Sequence, residues 1–188
     1  MLFLKLFLLF GLILHKVIWE VLRKKADEKT KETQSLSLLA VKAVKIGILL
    51  GVIVQTLLPM DIFPISENPQ TLRIIGTIIY SIGLLTAIAA RFQLGDNWAN
   101  IETGQVLQSQ QVVARGIYGF IRHPIYTGDL FLLLGLELAL NSWLVLGILI
   151  LAPVVMLKAM NEEKMLVQEL TGYGDYCART KRFIPFVI

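Results

Sequence analysis

Apolar residues run along this chain in five long stretches, each bounded by charge, proline or a turn signal. The first covers about Leu2 to Leu22, the second Leu36 to Leu58, ending at Pro59, and the third Leu72 to Ala90. The last two, Ile125 to Leu140 and Trp143 to Met160, are separated only by Asn141 and Ser142 and predict a tight helical hairpin. A helix needs about 20 such residues to cross the hydrocarbon of a bilayer, where every backbone polar group must be satisfied within the segment. The pattern predicts an all-α, polytopic membrane protein of about five transmembrane helices, the fourth of them short. The first run has no basic flank before it and no small-x-small cleavage signal after it, so it reads as a retained helix rather than a signal peptide.

The polar positions orient these spans. The stretch RKKADEKTKET supplies Arg23, Lys24, Lys25, Lys29 and Lys31, with Lys42 and Lys45 just beyond it. The next connection, PMDIFPISENPQ, holds Asp61 and Glu67 and no basic residue. Arg91, Arg115 and Arg122 lie between the third and fourth runs, and Lys164, Arg179, Lys181 and Arg182 follow the fifth. Basic loops stay cytoplasmic, so five spans place the N-terminus outside and the C-terminus in the cytoplasm. Within the second run, Gly47 and Gly51 form a GxxxG that predicts close helix packing. Lys16 and Glu20 can snorkel, and His15 reads as an interfacial residue.

Composition agrees with a lipid-facing chain: 55% of residues are hydrophobic and 17% charged, and mean hydropathy is +0.67. A net charge of +4 and a pI near 9.2 could fit nucleic acid, but the basic residues alternate with apolar runs instead of forming one stripe. Membrane lipids are the expected partner, and nucleic acid is not. Cys177 is alone, which excludes an internal disulfide, and His15 and His123 sit in different segments without metal-ligand spacing. No metal is expected.

Two polar clusters carry the candidate chemistry, both on the predicted cytoplasmic face. In GIYGFIRHPIYTGDL, Pro124 suits the first turn of a helix, which puts His123 near the N-cap, Arg122 just outside, and Tyr126 and Asp129 three residues apart on one face. In KAMNEEK, Lys158 and Glu162 are four apart and can pair, while Glu163 projects about 100° round the helix from Glu162. By itself the second cluster reads as a solvated helix end. No GxGxxG, P-loop or nucleophile elbow is present, so nucleotide folds and serine hydrolases are not expected.

The set RHPIYTG, NEEKMLVQEL and a tyrosine-bearing tail ending KRFIP resembles the isoprenylcysteine carboxyl methyltransferase and phospholipid methyltransferase superfamily, including its prokaryotic members. LGDNWAN and VVARGIYGFIRHP extend the likeness over about Leu94 to Pro185. The resemblance implies three N-terminal membrane helices in residues 1–93 and a catalytic region with a helical hairpin and a cytoplasmic tail in 94–188. It implies S-adenosylmethionine as cofactor, with Val113, Gly116, Ile117 and Tyr118 lining it, backbone groups reading the adenine, His123 and Tyr126 on its ribose or amino-acid part, and Glu162 on its ammonium group. Arg122 would hold a carboxylate, with Lys158 and Glu163 toward a lipophilic acceptor. Carboxyl O-methylation of an isoprenylcysteine-like molecule is the implied reaction, in a prokaryotic inner membrane; N-methylation of a phospholipid amine is the alternative. The string YTGDL and a terminal YC with IPF also look like membrane sterol reductases, which use NADPH. Tyr173 and Tyr176 fit either a lid or a cofactor contact, and Arg182 a lipid headgroup contact.

Overall fold

A computed structural model describes residues 1–27, 36–58, 61–97 and 110–184. The basic stretch from Arg23 to Lys31, Lys42, Lys45 and the end of LGDNWAN lie outside the described side chains. Five long helices and one short one follow in order: α1 (Leu2–Asp27), α2 (Leu36–Leu57), α3 (Gln70–Leu94), α4 (Pro124–Ala139), α5 (Gly147–Glu169) and α6 (Tyr173–Arg179). Leu2–Leu22, Gln70–Leu94 and Trp143–Glu169 are long and apolar enough to cross a membrane, while the Ile46–Leu57 stretch and the 16 residues of α4 are shorter. The expected helices are all present, and α5 runs on to Glu169, carrying the two glutamates on a continuous helix.

The tightest packing lies between α3 and α4. A Cβ on Gly76 would come within 2.3 Å of the Ala139 backbone nitrogen, and one on Gly83 within 2.3 Å of that of Leu132. From the other side, Gly128 meets Ala87 at 2.6 Å and Gly135 meets Tyr80 at 2.1 Å. Without side chains at these points the two backbones approach directly, which is how membrane helices gain dispersion energy where lipid supplies no hydrophobic drive. For the GxxxG of α2, nothing among the described residues lies within 4 Å of a Cβ on Gly47 or Gly51, so the described residues do not show the packing that the motif predicts. The glycines that pack α3 against α4 are a set spaced two turns apart.

Around this pair, Leu8 and Leu12 of α1, Val52 of α2, Tyr80 and Leu84 of α3, and Leu132 and Leu136 of α4 form the core. The Tyr80 hydroxyl donates to the Leu8 carbonyl at 2.6 Å, tying α3 to α1. At one end of the bundle the α4–α5 turn is latched into the α2–α3 connection. Asn141 takes a positive φ of 55°, donates to Asp61 at 3.1 Å and to the Ser66 carbonyl at 2.9 Å, and accepts from the Ser66 amide at 3.0 Å. Arg73 holds Asp61 with both carboxylate oxygens at 2.8 and 3.0 Å. Nearby, Gln55 donates to the buried Glu137 at 2.9 Å.

Candidate functional site

The opposite end gathers the C-terminus of α3, the N-terminus of α4, the C-terminus of α5 and the tail. Pro124 opens α4 at N1 with His123 as N-cap, as the sequence predicts. Before it, Gly116–Gly119 makes one 3-10 turn. Gly116 sits at φ +59°, and a Cβ there would strike Gln93 at 2.4 Å; Gln93 accepts from the Ile117 amide at 2.8 Å. The tail then returns alongside: Arg122 and His123 amides donate to the Lys181 and Arg182 carbonyls at 2.8 and 3.0 Å, and the Lys181 amide to Phe120 at 3.0 Å. This short ladder seats the tail against the start of α4 and aims Arg182 back at α5.

The neighbouring glutamates part as a 100° helical step requires. Glu163 is enclosed by two guanidiniums and an imidazole. Arg122 Nε meets Oε1 at 2.8 Å, Arg182 meets both oxygens at 2.7 to 3.0 Å, and His123 Nε2 lies 3.1 Å from Oε1. Arg122 also donates to the Cys177 carbonyl at 3.0 Å and to the Thr180 carbonyl. Glu162 turns the other way: the Tyr126 hydroxyl donates to it at 2.9 Å, and His123 Nδ1 stands 3.9 Å off. His123 therefore spans both carboxylates, stacked on Tyr126 with ring centroids 5.4 Å apart and covered by Phe183 at 5.7 Å.

Several predicted residues thus meet, with different partners from those expected. Arg122 and Glu163 hold each other. Lys158 lies with its ammonium 5.6 Å over the Tyr126 ring, a cation–π placement that also sets its charge near Glu162, the partner that spacing predicts. Arg182, assigned to headgroups from sequence, binds Glu163 because the ladder points it inward. Asp129 faces His15 of α1 at 3.2 Å rather than sharing a site with Tyr126. Val113 packs with Tyr118 and Tyr126 around Ala90 and Ile125. Of the backbone groups expected to read an adenine, the Ile117 amide already serves Gln93, and the Tyr118 carbonyl accepts from the Tyr176 hydroxyl at 2.8 Å.

Tyr173 and Tyr176 are buried with Leu166, so they pack the tail onto α5. Burial raises all three phenols, Tyr118 and Tyr173 strongly and Tyr176 to about 12. Burial likewise raises the Cys177 thiol, which keeps it protonated and unsuited as a nucleophile. Sequence reasoning missed Gln93 and the structural part of Arg91. Arg91 is buried at 2% exposure, donates to the Gly95 carbonyl at 2.9 Å and stacks over Trp19 at 5.6 Å. An arginine and a glutamine in the last turns of an apolar helix are the signal that could have found them, since such groups stay there only with partners.

Fold and site together define a class: a helical membrane protein with a charged, tail-covered cluster where a C-terminal hairpin meets the membrane surface. The chain belongs to the phospholipid methyltransferase family, whose model matches residues 71–174. It is 24% identical over 129 residues to the protein-S-isoprenylcysteine O-methyltransferase of Xenopus laevis, an alignment covering 67% of this chain and 45% of that protein. It is 31% identical over 80 residues to the cobalt-zinc-cadmium resistance protein CzcN of Cupriavidus metallidurans, covering 42% of this chain and 37% of that one. The chain thus spans less than half the length of these curated relatives. Its fold matches a solved eukaryotic intramembrane Ras methyltransferase, an isoprenylcysteine carboxyl methyltransferase, with a TM-score of 0.63 at 18% identity, over 98% of this chain and 68% of the other.

Proposed function

We propose that this protein transfers a methyl group from S-adenosylmethionine to a lipophilic acceptor at the membrane surface. Family membership favours methyl transfer over the hydride-transfer alternative. The observation that carries the reading is the unequal treatment of the glutamates. Glu163 is held by two guanidiniums and an imidazole, whereas Glu162 accepts from the Tyr126 hydroxyl and faces His123 and the charge of Lys158, a lighter set of groups that a ligand cation can join. A methyl sulfonium with an ammonium group is such a ligand. The donor supplies an electrophilic methyl; the chain's part is to align it and exclude water. Tyr126 and His123 fix Glu162, and the tail closes over His123 through Phe183.

The acceptor we read from the relatives is the carboxyl group of an isoprenylcysteine-like molecule, entering from the bilayer. Residues 1–93 would frame the site and 94–188 carry it, on the cytoplasmic face of a prokaryotic inner membrane by the distribution of basic residues. The test supplies methyl-labelled S-adenosylmethionine to membranes with and without the protein, alongside thermal shifts with the demethylated donor and with NADPH. Label entering a lipid fraction, with a shift by the demethylated donor, is the expected result. A shift with NADPH alone would overturn the proposal.

A further inference from the structure

At the end of the bundle opposite the glutamates, α1 carries a buried lysine. Lys5 lies three residues into the helix, about 5 Å along its axis, where a lysine can ordinarily snorkel along its own stem to water. This side chain turns inward instead and is 9% exposed, its ammonium donating to the carbonyl of Leu58 just past the end of α2. Capping the last carbonyls of a helix accounts for that direction, but not for the space beside it. Between α1 and α2 opens a cavity of about 310 Å³, lined by Leu2, Leu6, Leu9 and Leu57 together with Lys5 and Thr56. Thr56 is 1% exposed, whereas Leu2, Leu6 and Leu57 are each at least half exposed. A polar floor therefore lies behind an apolar mouth on the outer flank of the bundle.

We propose that this cavity binds an anionic phospholipid, whose phosphate meets the Lys5 ammonium while part of one acyl chain lies against Leu2, Leu6, Leu9 and Leu57. The site stands apart from the glutamate cluster and does not rest on the methyl-transfer reading. Charge selects the occupant. No carboxylate stands among the described lining residues, and the enclosed acids at this end, Asp61 and Glu137, already meet Arg73 and Gln55. A neutral carbonyl orients the ammonium without cancelling its charge, and an ionised group at this depth favours a counter-ion. Lysine meets phosphate as a point charge, and basic pockets between membrane helices hold lipid headgroups. Size sets how much of the lipid enters. The volume is near the lower bound of small-ligand sites, roughly 300 Å³, so it takes part of one chain and leaves the rest in the bilayer. The lipid also joins two helices that touch over a short length: among its described residues α2 buries Val52, Gln55 and Thr56, all within its last two turns. A chain lodged between Leu6 and Leu57 fastens that end of α2 to α1.

The experiment takes the purified protein in detergent and counts retained lipid by native mass spectrometry. The probes are phosphatidylglycerol, phosphatidylcholine with the same chains, and chain-free glycerol phosphate. We expect wild type to hold one phosphatidylglycerol about fivefold more tightly than phosphatidylcholine and to bind no glycerol phosphate. Lys5→Gln keeps a donor for the Leu58 carbonyl but not the charge, and should bring the two lipids level. Lys5→Arg should keep the preference, and Leu9→Trp, which fills the cavity, should lose both lipids. Circular dichroism and Tm in lipid-free detergent report folding of each variant; if Lys5→Gln unfolds, Lys5→Arg and Leu9→Trp decide. Equal retention of the two lipids by wild type, a preference that survives in Lys5→Gln or is lost in folded Lys5→Arg, or lipid undiminished in folded Leu9→Trp overturns the inference and leaves Lys5 as a cap of α2. Binding of glycerol phosphate as tight as that of phosphatidylglycerol overturns it too, since the acyl chain would then contribute nothing.

Discussion

The two ends of the α4–α5 hairpin both carry buried charge, and they use it differently. At the turn, Arg73, Asp61, Asn141 and Ser66 are joined in a chain of hydrogen bonds in which the Arg73 charge meets the Asp61 carboxylate. At the site end, two arginines and a histidine crowd one carboxylate while its neighbour, Glu162, accepts from Tyr126 and faces His123 and Lys158. A latch balances its charges locally. At the proposed site several groups lock one carboxylate, and its neighbour meets a lighter set without a guanidinium bond of its own among the described contacts. The comparison teaches that the kind of partner, and not burial alone, distinguishes the latch from the proposed site.

The sharpest test is Glu163→Ala, which strands two arginines that are already partly desolvated. It should cost about 3 kcal/mol of stability, read as a lower Tm in vesicles, and abolish donor binding because the tail loses its anchor. Asn141→Ala attacks the other end: losing the turn's hydrogen bonds and its tolerance of positive φ should cost about 2 kcal/mol, while turnover per folded molecule stays within twofold. If Asn141→Ala instead removed donor binding with Tm intact, the contrast between the ends would fail. Glu162→Gln keeps the Tyr126 contact but not the charge. Calorimetry should show donor affinity reduced at least tenfold, about 1.4 kcal/mol, with Tm moved by only a degree or two. The smallest effect is alkaline. With Tyr176 raised from its ordinary 10 to about 12, its contribution is fully present below pH 10 and is lost as pH rises toward 12. Tyr176→Phe should flatten that limb of the Tm–pH curve.

Much of this architecture is legible from hydropathy, because membrane helices are defined by long local runs. Pro124 and the 100° step between Glu162 and Glu163 are likewise local features, and each led to the right element. Partners were not legible where contact is distant in sequence. His15 and Asp129, or Arg182 and Glu163, meet only because helices and tail fold back. The glycines are instructive: GILLG drew attention as a motif, yet the pairs Gly76 with Gly83 and Gly128 with Gly135 carry the packing. Two-turn spacing keeps a face as faithfully as one-turn spacing, and it was there to be read.

The brevity of α4 has a consequence for the surrounding lipid. Sixteen residues give about 24 Å of helix, against roughly 30 Å of hydrocarbon. A bilayer crossed by α4 would have to thin beside it, bringing headgroups toward the flank where the glutamates lie. For the proposed reaction, such thinning would bring an amphiphile's polar head to the depth of the glutamates while its tail remains in oil, so activity should rise in bilayers of shorter acyl chains.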